Sequence, residues 1–218
     1  MISIALVDDH VITRKGIKTI IELHPGIRVI LEVSNGKELL EKLAPARLPD
    51  IVILDINMPV MNGFQTIREL QARHPSIKII VYSLIYEEDT VINMIASGAC
   101  GYITKSADPS MLAKAIITVH TKGFYLGELV KKEYFRKNTT DKKRLGFNGR
   151  KYLSPRELEF IKLAATNLNY NEIAGIMGVS PKTIENYRDS LFQKLGIKNR
   201  AALVLFGFKN GLVTIFTE

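Results

Sequence analysis

The sequence predicts two domains of different class: an α/β domain built on a doubly wound, five-stranded parallel sheet, and a C-terminal all-α domain of four short helices. Three observations carry this expectation. Over residues 1–122, short Ile- and Val-rich runs alternate with segments of helical period; parallel strands need such crossovers, so both faces of the sheet are covered. After Tyr152 the pattern reads as helix throughout. Between them, residues 123–150 lose periodicity and turn basic. At 218 residues the chain has room for two domains, each with its own core.

The expected strands are Ile2–Val7, Ile27–Val33, Ile51–Leu54, Ile77–Ser83 and Cys100–Ile103. Runs such as Ile51-Val52-Ile53-Leu54 are those of strands buried on both sides. The expected helices between and after them are Val11–Leu23, Gly36–Leu43, Asn62–Arg73, Glu88–Ser97 and Pro109–Lys122, with Pro25, Pro49 and Pro75 as stops. In the basic segment Glu128–Arg136 reads as a short helix and the remainder as linker. Ser154-Pro155-Arg156-Glu157 is a capping box with Pro at the first helical position. Asn171–Met177 reads as a short helix and Gly178-Val179 as a turn. Ser180-Pro181 opens a helix ending near Leu195-Gly196, and Asn199 caps a last one running to Asn210. Two helices joined by so short a turn fit a helix-turn-helix unit. The domains are therefore placed at 1–122, 123–150 (basic linker) and 151–218.

The net charge of +8 is unevenly spread. Residues 1–120 carry 12 Lys+Arg against 13 Asp+Glu, residues 121–150 carry 9 against 3, and residues 151–218 carry 9 against 6. A neutral front and a basic rear point to a polyanion partner for the rear half. No apolar run approaches the roughly 18 residues of a membrane span, and Asp8 and Asp9 interrupt the first apolar run too early for a signal peptide. The expectation is a cytoplasmic protein with no membrane partner. The single cysteine, Cys100, excludes an internal disulfide and is expected to be buried.

In a parallel α/β sheet, ligands bind beyond the carboxyl ends of the strands. Strand one is followed by Asp8-Asp9, strand three by Asp55, strand four ends at Ser83, and Lys105 follows strand five. Acidic residues also follow strands as loop formers, but five reactive groups at strand ends make a site. Crowded carboxylates repel one another and a divalent cation relieves that repulsion. Mg²⁺ suits it, being an oxygen-seeking ion that keeps several waters beside a few carboxylates. A carboxylate can also act as nucleophile toward phosphorus, with Lys105 and the ion neutralising charge and Ser83 donating a hydrogen bond.

In these residues the chain resembles the response regulators. Asp8-Asp9, Asp55-Ile56-Asn57-Met58-Pro59 with Gly63, then Ser83, Tyr102 and Lys105, match the receiver pattern in order and spacing. The resemblance implies a flavodoxin-like receiver in which Asp55 accepts a phosphoryl group from a cognate histidine kinase. It also implies Mg²⁺ held by Asp8, Asp9, Asp55 and the Asn57 carbonyl, and a switch made of Ser83 and Tyr102, whose ring turns inward. This chain departs from the pattern at Leu84, where a small residue is usual, and at Ser106, where many receivers carry Pro. A Leu at the pocket mouth narrows access and is expected to alter the lifetime of the phosphorylated form.

The rear domain resembles the LuxR-type helix-turn-helix of the NarL/FixJ group. The match runs through Leu153-Ser154-Pro155-Arg156-Glu157, Asn171-Glu172-Ile173-Ala174, Val179-Ser180, Lys182 to Tyr187, Lys194-Leu195-Gly196 and Arg200. On Thr183–Leu195 the residues Ile184, Tyr187, Leu191 and Leu195 form the core stripe, leaving a polar face. A recognition helix reads base edges mainly with its N-terminal residues. Asn186 suits adenine and Glu185 suits cytosine N4, with Thr183 beside them, while Lys182, Arg188 and Lys194 suit phosphates of double-stranded DNA. The resemblance implies a homodimer on phosphorylation, through Leu203, Phe206 and Leu205 or Phe208 of the last helix.

Two other readings stay open. A Mg²⁺-dependent phosphatase with a nucleophilic Asp would use similar groups, but its nucleophile usually follows the first strand, and the rear domain has no role in it. A DNA-binding regulator that ignores phosphorylation is the other. His10, His24, His74 and His120 are scattered, and no metal-type Cys/His cluster or Ser/His/Asp arrangement is visible; no enzymatic activity is expected.

Overall fold

The computed structural model describes residues 1–85, 87–126, 153–166 and 168–213. The helix expected at Glu128–Arg136, and the rest of the basic segment from residue 127 on, lie outside the described residues. The chain divides into two compact units, Met1–Gly127 and Glu128–Glu218.

The first unit runs β1 (Ile2–Val7), α1 (Val11–Glu22), β2 (Ile27–Val33), α2 (Gly36–Lys42), β3 (Ile51–Leu54), α3 (Gly63–Arg73), β4 (Lys78–Ser83), α4 (Glu88–Ser97), β5 (Gly101–Thr104), α5 (Ser110–Lys122). All strand pairings are parallel and the order is β2-β1-β3-β4-β5. Alternate strand residues Ile4, Leu6, Ile51, Ile53 and Ile80 join Ile17 and Ile21 of α1 and Leu112, Ile116 and Val119 of α5 in one core. The intervening Ala5, Val7, Val52, Leu54, Ile79 and Val81 are buried as well, and by the period of two they face the opposite side. Burial on both faces explains why these strands read as unbroken apolar runs.

Element bounds differ from expectation by single residues, and caps supply the reason. Asn62 and Pro109 stand just outside α3 and α5 as N-caps; Asn62 forms a reciprocal capping box with Gln65. A short 3₁₀ turn at Pro45–Arg47 was not anticipated. The chain also stays packed beyond Lys122, the expected edge of the domain. Tyr125 donates its backbone N–H to the Cys100 carbonyl at 2.9 Å, pairs with Gly101 in a parallel bridge, and is buried together with Leu126.

The second unit contains α6 (Pro155–Ala164), α7 (Tyr170–Met177), α8 (Pro181–Leu195) and α9 (Arg200–Lys209). Their N-caps Ser154, Asn169, Ser180 and Asn199 each accept a backbone N–H from three residues on, at about 1 kcal/mol per cap. Gly178 ends α7 with φ 64°, a left-handed conformation that glycine adopts at no steric cost. Phe160, Ile161, Ile173, Met177, Ile184, Leu191 and Leu203 form the core, and Phe160 stacks on Tyr170 and Tyr187. Of the residues expected to form a dimer patch, Leu203 is consumed by this core and Leu205 is buried, whereas Phe206 and Phe208 are half-buried. Among the described residues no helix is long and apolar enough to cross a membrane.

Candidate functional site

The sheet order sets the site. β1 lies between β2 and β3, so the connections leaving β1 and β3 diverge and open a crevice at their carboxyl ends. The register Val7↔Leu54 places Asp8 beside Asp55 there, and Ser83↔Thr104 brings Lys105 next to the end of β4. Lys105 Nζ bonds Asp8 Oδ2 at 2.7 Å and Asp55 Oδ2 at 2.6 Å. Both carboxylates are buried and the lysine side chain is only 12% exposed. Burial opposes the lysine's charge, but the hydrogen bonds to Asp55 and Asp8 outweigh it and hold its pKa above the ordinary value.

The other carboxylate oxygens are also directed. Asp55 Oδ1 accepts the Ile56 N–H at 2.7 Å, and Asp8 Oδ1 accepts the His10 N–H at 2.8 Å. Asp9 Oδ1 is buried and accepts no hydrogen bond among the described residues, although His10 Nδ1 lies 2.8 Å away. Ligand atoms of Asp8, Asp9, His10 and Asp55 all fall within 4.8 Å of one another. An unsatisfied carboxylate oxygen beside two more carboxylates fits a hard divalent cation. Asn57, whose carbonyl was expected to join them, lies on the exposed loop after Asp55. Gly63 holds that loop close: a Cβ there would stand 2.7 Å from the Asp55 carbonyl oxygen, and its N–H bonds the Ile56 carbonyl at 2.8 Å.

Ser83 is buried, its carbonyl bonded to the Lys105 N–H at 2.9 Å and its Oγ accepting from Ile85 N at 3.4 Å. The Tyr102 ring is buried and its hydroxyl donates to the Ile85 carbonyl. Ile85 is thus held at both backbone groups, and the ring already faces inward. Leu84 projects beside them, 76% exposed, while Ser106 shares a hydrogen bond with Thr104. Sequence reasoning missed His10, which joins the acids, and Arg14, which donates to the Asp8 carbonyl. The adjacency of His10 to Asp8-Asp9 along the chain was the available signal.

In the second unit, the polar face of α8 carries Lys182, Thr183, Glu185, Asn186 and Arg188 at or near the surface. Lys194 is held across the domain: its Nζ bonds both carboxylate oxygens of Glu157 at 3.0 Å, tying the end of α8 to the start of α6. Burial works against the Glu157 charge, but the Ser154 N–H and Lys194 outweigh it and hold its carboxyl below the usual range. Arg200, 4% exposed, donates to the carbonyls of Ala164 (2.8 Å), Thr166 (3.2 Å) and Leu168 (2.7 Å). It satisfies the chain leaving α6, where helices run out of internal donors.

An acidic crevice with a lysine, joined to a capped helix-turn-helix, defines a class, and comparison with known proteins agrees. The response regulator receiver domain matches residues 4–117, and the luxR family of bacterial regulatory proteins matches residues 151–206. The chain belongs to the NarL/FixJ family of transcriptional response regulators, with a receiver domain followed by a LuxR-type DNA-binding domain. It is 31% identical to the transcriptional regulatory protein DegU of Brevibacillus brevis, over 98% of this chain and 96% of that one. It is 33% identical to the nitrate/nitrite response regulator protein NarL of Escherichia coli, over 91% of each. Among solved structures, the RcsB response regulator of Salmonella typhimurium aligns over 94% of this chain and 98% of its own, with TM-score 0.56 and 27% identity. A complex of RcsB with DNA aligns over 94% and 96%, with TM-score 0.58 and 25% identity.

Proposed function

We propose that Asp55 is the phosphoacceptor of a Mg²⁺-dependent transfer from a histidine kinase, and that its phosphorylation controls dimerisation and sequence-specific binding of double-stranded DNA. The observation that carries this is the convergence of Lys105 on Asp8 and Asp55 at 2.7 and 2.6 Å. The Asp55 carboxylate is held at both oxygens, by Ile56 N–H and by Lys105, so little orientational freedom remains to be lost on reaction. An Asp55 oxygen forms the new O–P bond as the P–N bond of the donor phosphohistidine breaks, and the imidazole nitrogen leaves with the electron pair. Lys105 pairs with the phosphoryl oxygens as negative charge builds there. Asp8, Asp9, Asp55 and the Asn57 carbonyl would hold Mg²⁺, which neutralises phosphoryl charge when bound.

Ser83 and Tyr102 form the switch in this reading: the hydroxyl trades its Ile85 contact for a phosphoryl oxygen, and the Tyr102 latch on Ile85 responds. The working division is a receiver at 1–122 whose packing runs on through Tyr125 and Leu126, a basic linker over the rest of 123–150 and the DNA-binding domain at 151–218, in a cytoplasmic protein. On α8, Thr183, Glu185 and Asn186 face base edges and Lys182 and Arg188 face phosphates. Lys194 contributes there only by giving up Glu157.

The test is intact mass after incubation with a small phosphodonor, with and without Mg²⁺, beside Asp55→Ala. A Mg²⁺-dependent gain of one phosphoryl group that the variant lacks supports the reading. No gain from either a small donor or a phosphorylated kinase overturns it and favours a regulator that acts without phosphorylation.

A further inference from the structure

The exposed cations on α8 are each matched by an acid of the same helix. Lys182 Nζ lies 2.8 Å from Glu185 Oε2, and Arg188 Nε lies 2.8 Å from Asp189 Oδ1. The two pairs feel each other: Asp189 supports the charge of Lys182, and Arg188 supports that of Glu185. Positions 182, 185 and 189 follow the spacing of one helical face. With Lys194 committed to Glu157, this face carries two cations and two carboxylates. Toward a polyanion it is neutral.

Such exposed pairs are weak, and DNA phosphates can draw a lysine away from its carboxylate. The carboxylate then stays in the interface. In the major groove guanine N7 and O6, adenine N7 and thymine O4 are acceptors that repel it; the cytosine N4 amino group donates to it freely, whereas the adenine N6 amino group does so only beside the repelling N7. The same acid therefore opposes binding at most sequences and permits it at a few. Discrimination of this kind works by penalising wrong partners.

We propose that Glu185 and Asp189 are the discriminating groups of the DNA interface, cancelling the general attraction of α8 for DNA and releasing Lys182 and Arg188 only where cytosine amino groups meet the carboxylates. This rests on the reading of α8 as the helix that enters the groove. Each cation freed for a phosphate adds about 0.9 to the steepness of the salt dependence.

The experiment uses the full chain treated with phosphodonor and a fluorescently labelled duplex of alternating A·T pairs, which offers no cytosine, with anisotropy read across a salt series. Glu185→Ala and Asp189→Ala, which remove the acid without creating an amide that could pair with adenine, are compared with wild type and with Glu41→Ala. The last removes an equal charge from an exposed helical pair with Lys37 in the other unit. The expected result is roughly tenfold tighter low-salt binding by Glu185→Ala or Asp189→Ala and a salt slope steeper by about one, with Glu41→Ala close to wild type. Wild-type binding with both α8 variants matching Glu41→Ala overturns the inference and leaves α8 as the DNA-contacting helix. Failure of every form to bind this duplex and a random-sequence duplex at low salt overturns both.

Discussion

Replacing Arg200 by Met removes a buried guanidinium but leaves the three carbonyls it serves. The acceptors are Ala164 and Leu168 at 2.8 and 2.7 Å and Thr166 at 3.2 Å, and the guanidinium also lies 5.1 Å from the centre of the Tyr170 ring. A buried carbonyl stripped of its donor costs about 1 kcal/mol or more, and loss of the cation–π contact adds roughly 0.5–1 kcal/mol. Methionine recovers part of this by sparing the burial of a charge, a burial that already pulls the arginine's pKa down. The balance is a loss of about 3 kcal/mol, the scale seen when one partner of a buried charged contact is removed. Hydrogen exchange read by mass spectrometry on the full chain reports each unit separately. Peptides from 155–164 and 200–209 should exchange about 100-fold faster, with receiver peptides unchanged. Arg200→Lys keeps the charge but lacks the planar fork, and should fall between wild type and Met. Exchange in Arg200→Met within threefold of wild type would show that desolvation cancels the bonds and would refute this account.

Val60 is the one residue other than glycine with positive φ among the described residues, at 67°, and it is 74% exposed. Val60→Asn relieves left-handed strain without losing packing, and should raise the urea midpoint of the receiver unit by the equivalent of about 1 kcal/mol. The depressed Glu157 carboxyl contributes stability that is present above its unfolded pKa and lost as pH falls through the folded one. Exchange protection of α6 and α8 should therefore decline from about pH 5 downward, a decline that Glu157→Gln should flatten. Leu84→Ala, at so exposed a position, should leave receiver stability unchanged while shortening the life of the phosphorylated form severalfold; equal decay rates in the two proteins would remove Leu84 from the account.

The sheet and the acids at its edge were legible because both arise from local pattern. Apolar runs of four to seven residues mark the strands, and the residues just after each run must lie at the carboxyl edge. The features that stayed hidden are nonlocal. Nothing in the spacing of Glu157 and Lys194, 37 residues apart, tells that the lysine is occupied at home and not at a phosphate. Arg200 is recognisable as part of a motif, but its task is set by where the chain leaving α6 passes. Tyr125 was placed in the linker because helical and strand periodicity is lost from Gly123 on, whereas tertiary packing alone decides that it is buried. The strain at Val60 is a backbone property that a valine does not advertise.

That Tyr125 contact bears on the fate of the sheet's outer edge. β5 is a terminal strand of the sheet, and an uncovered strand edge is a template on which another chain can pair. Tyr125 pairs alongside Gly101, and with Leu126 it shields apolar surface next to the edge. A receiver fragment cut after Lys122 would lose this guard and present an open edge, inviting self-association. One that keeps the next four residues carries its own edge protection.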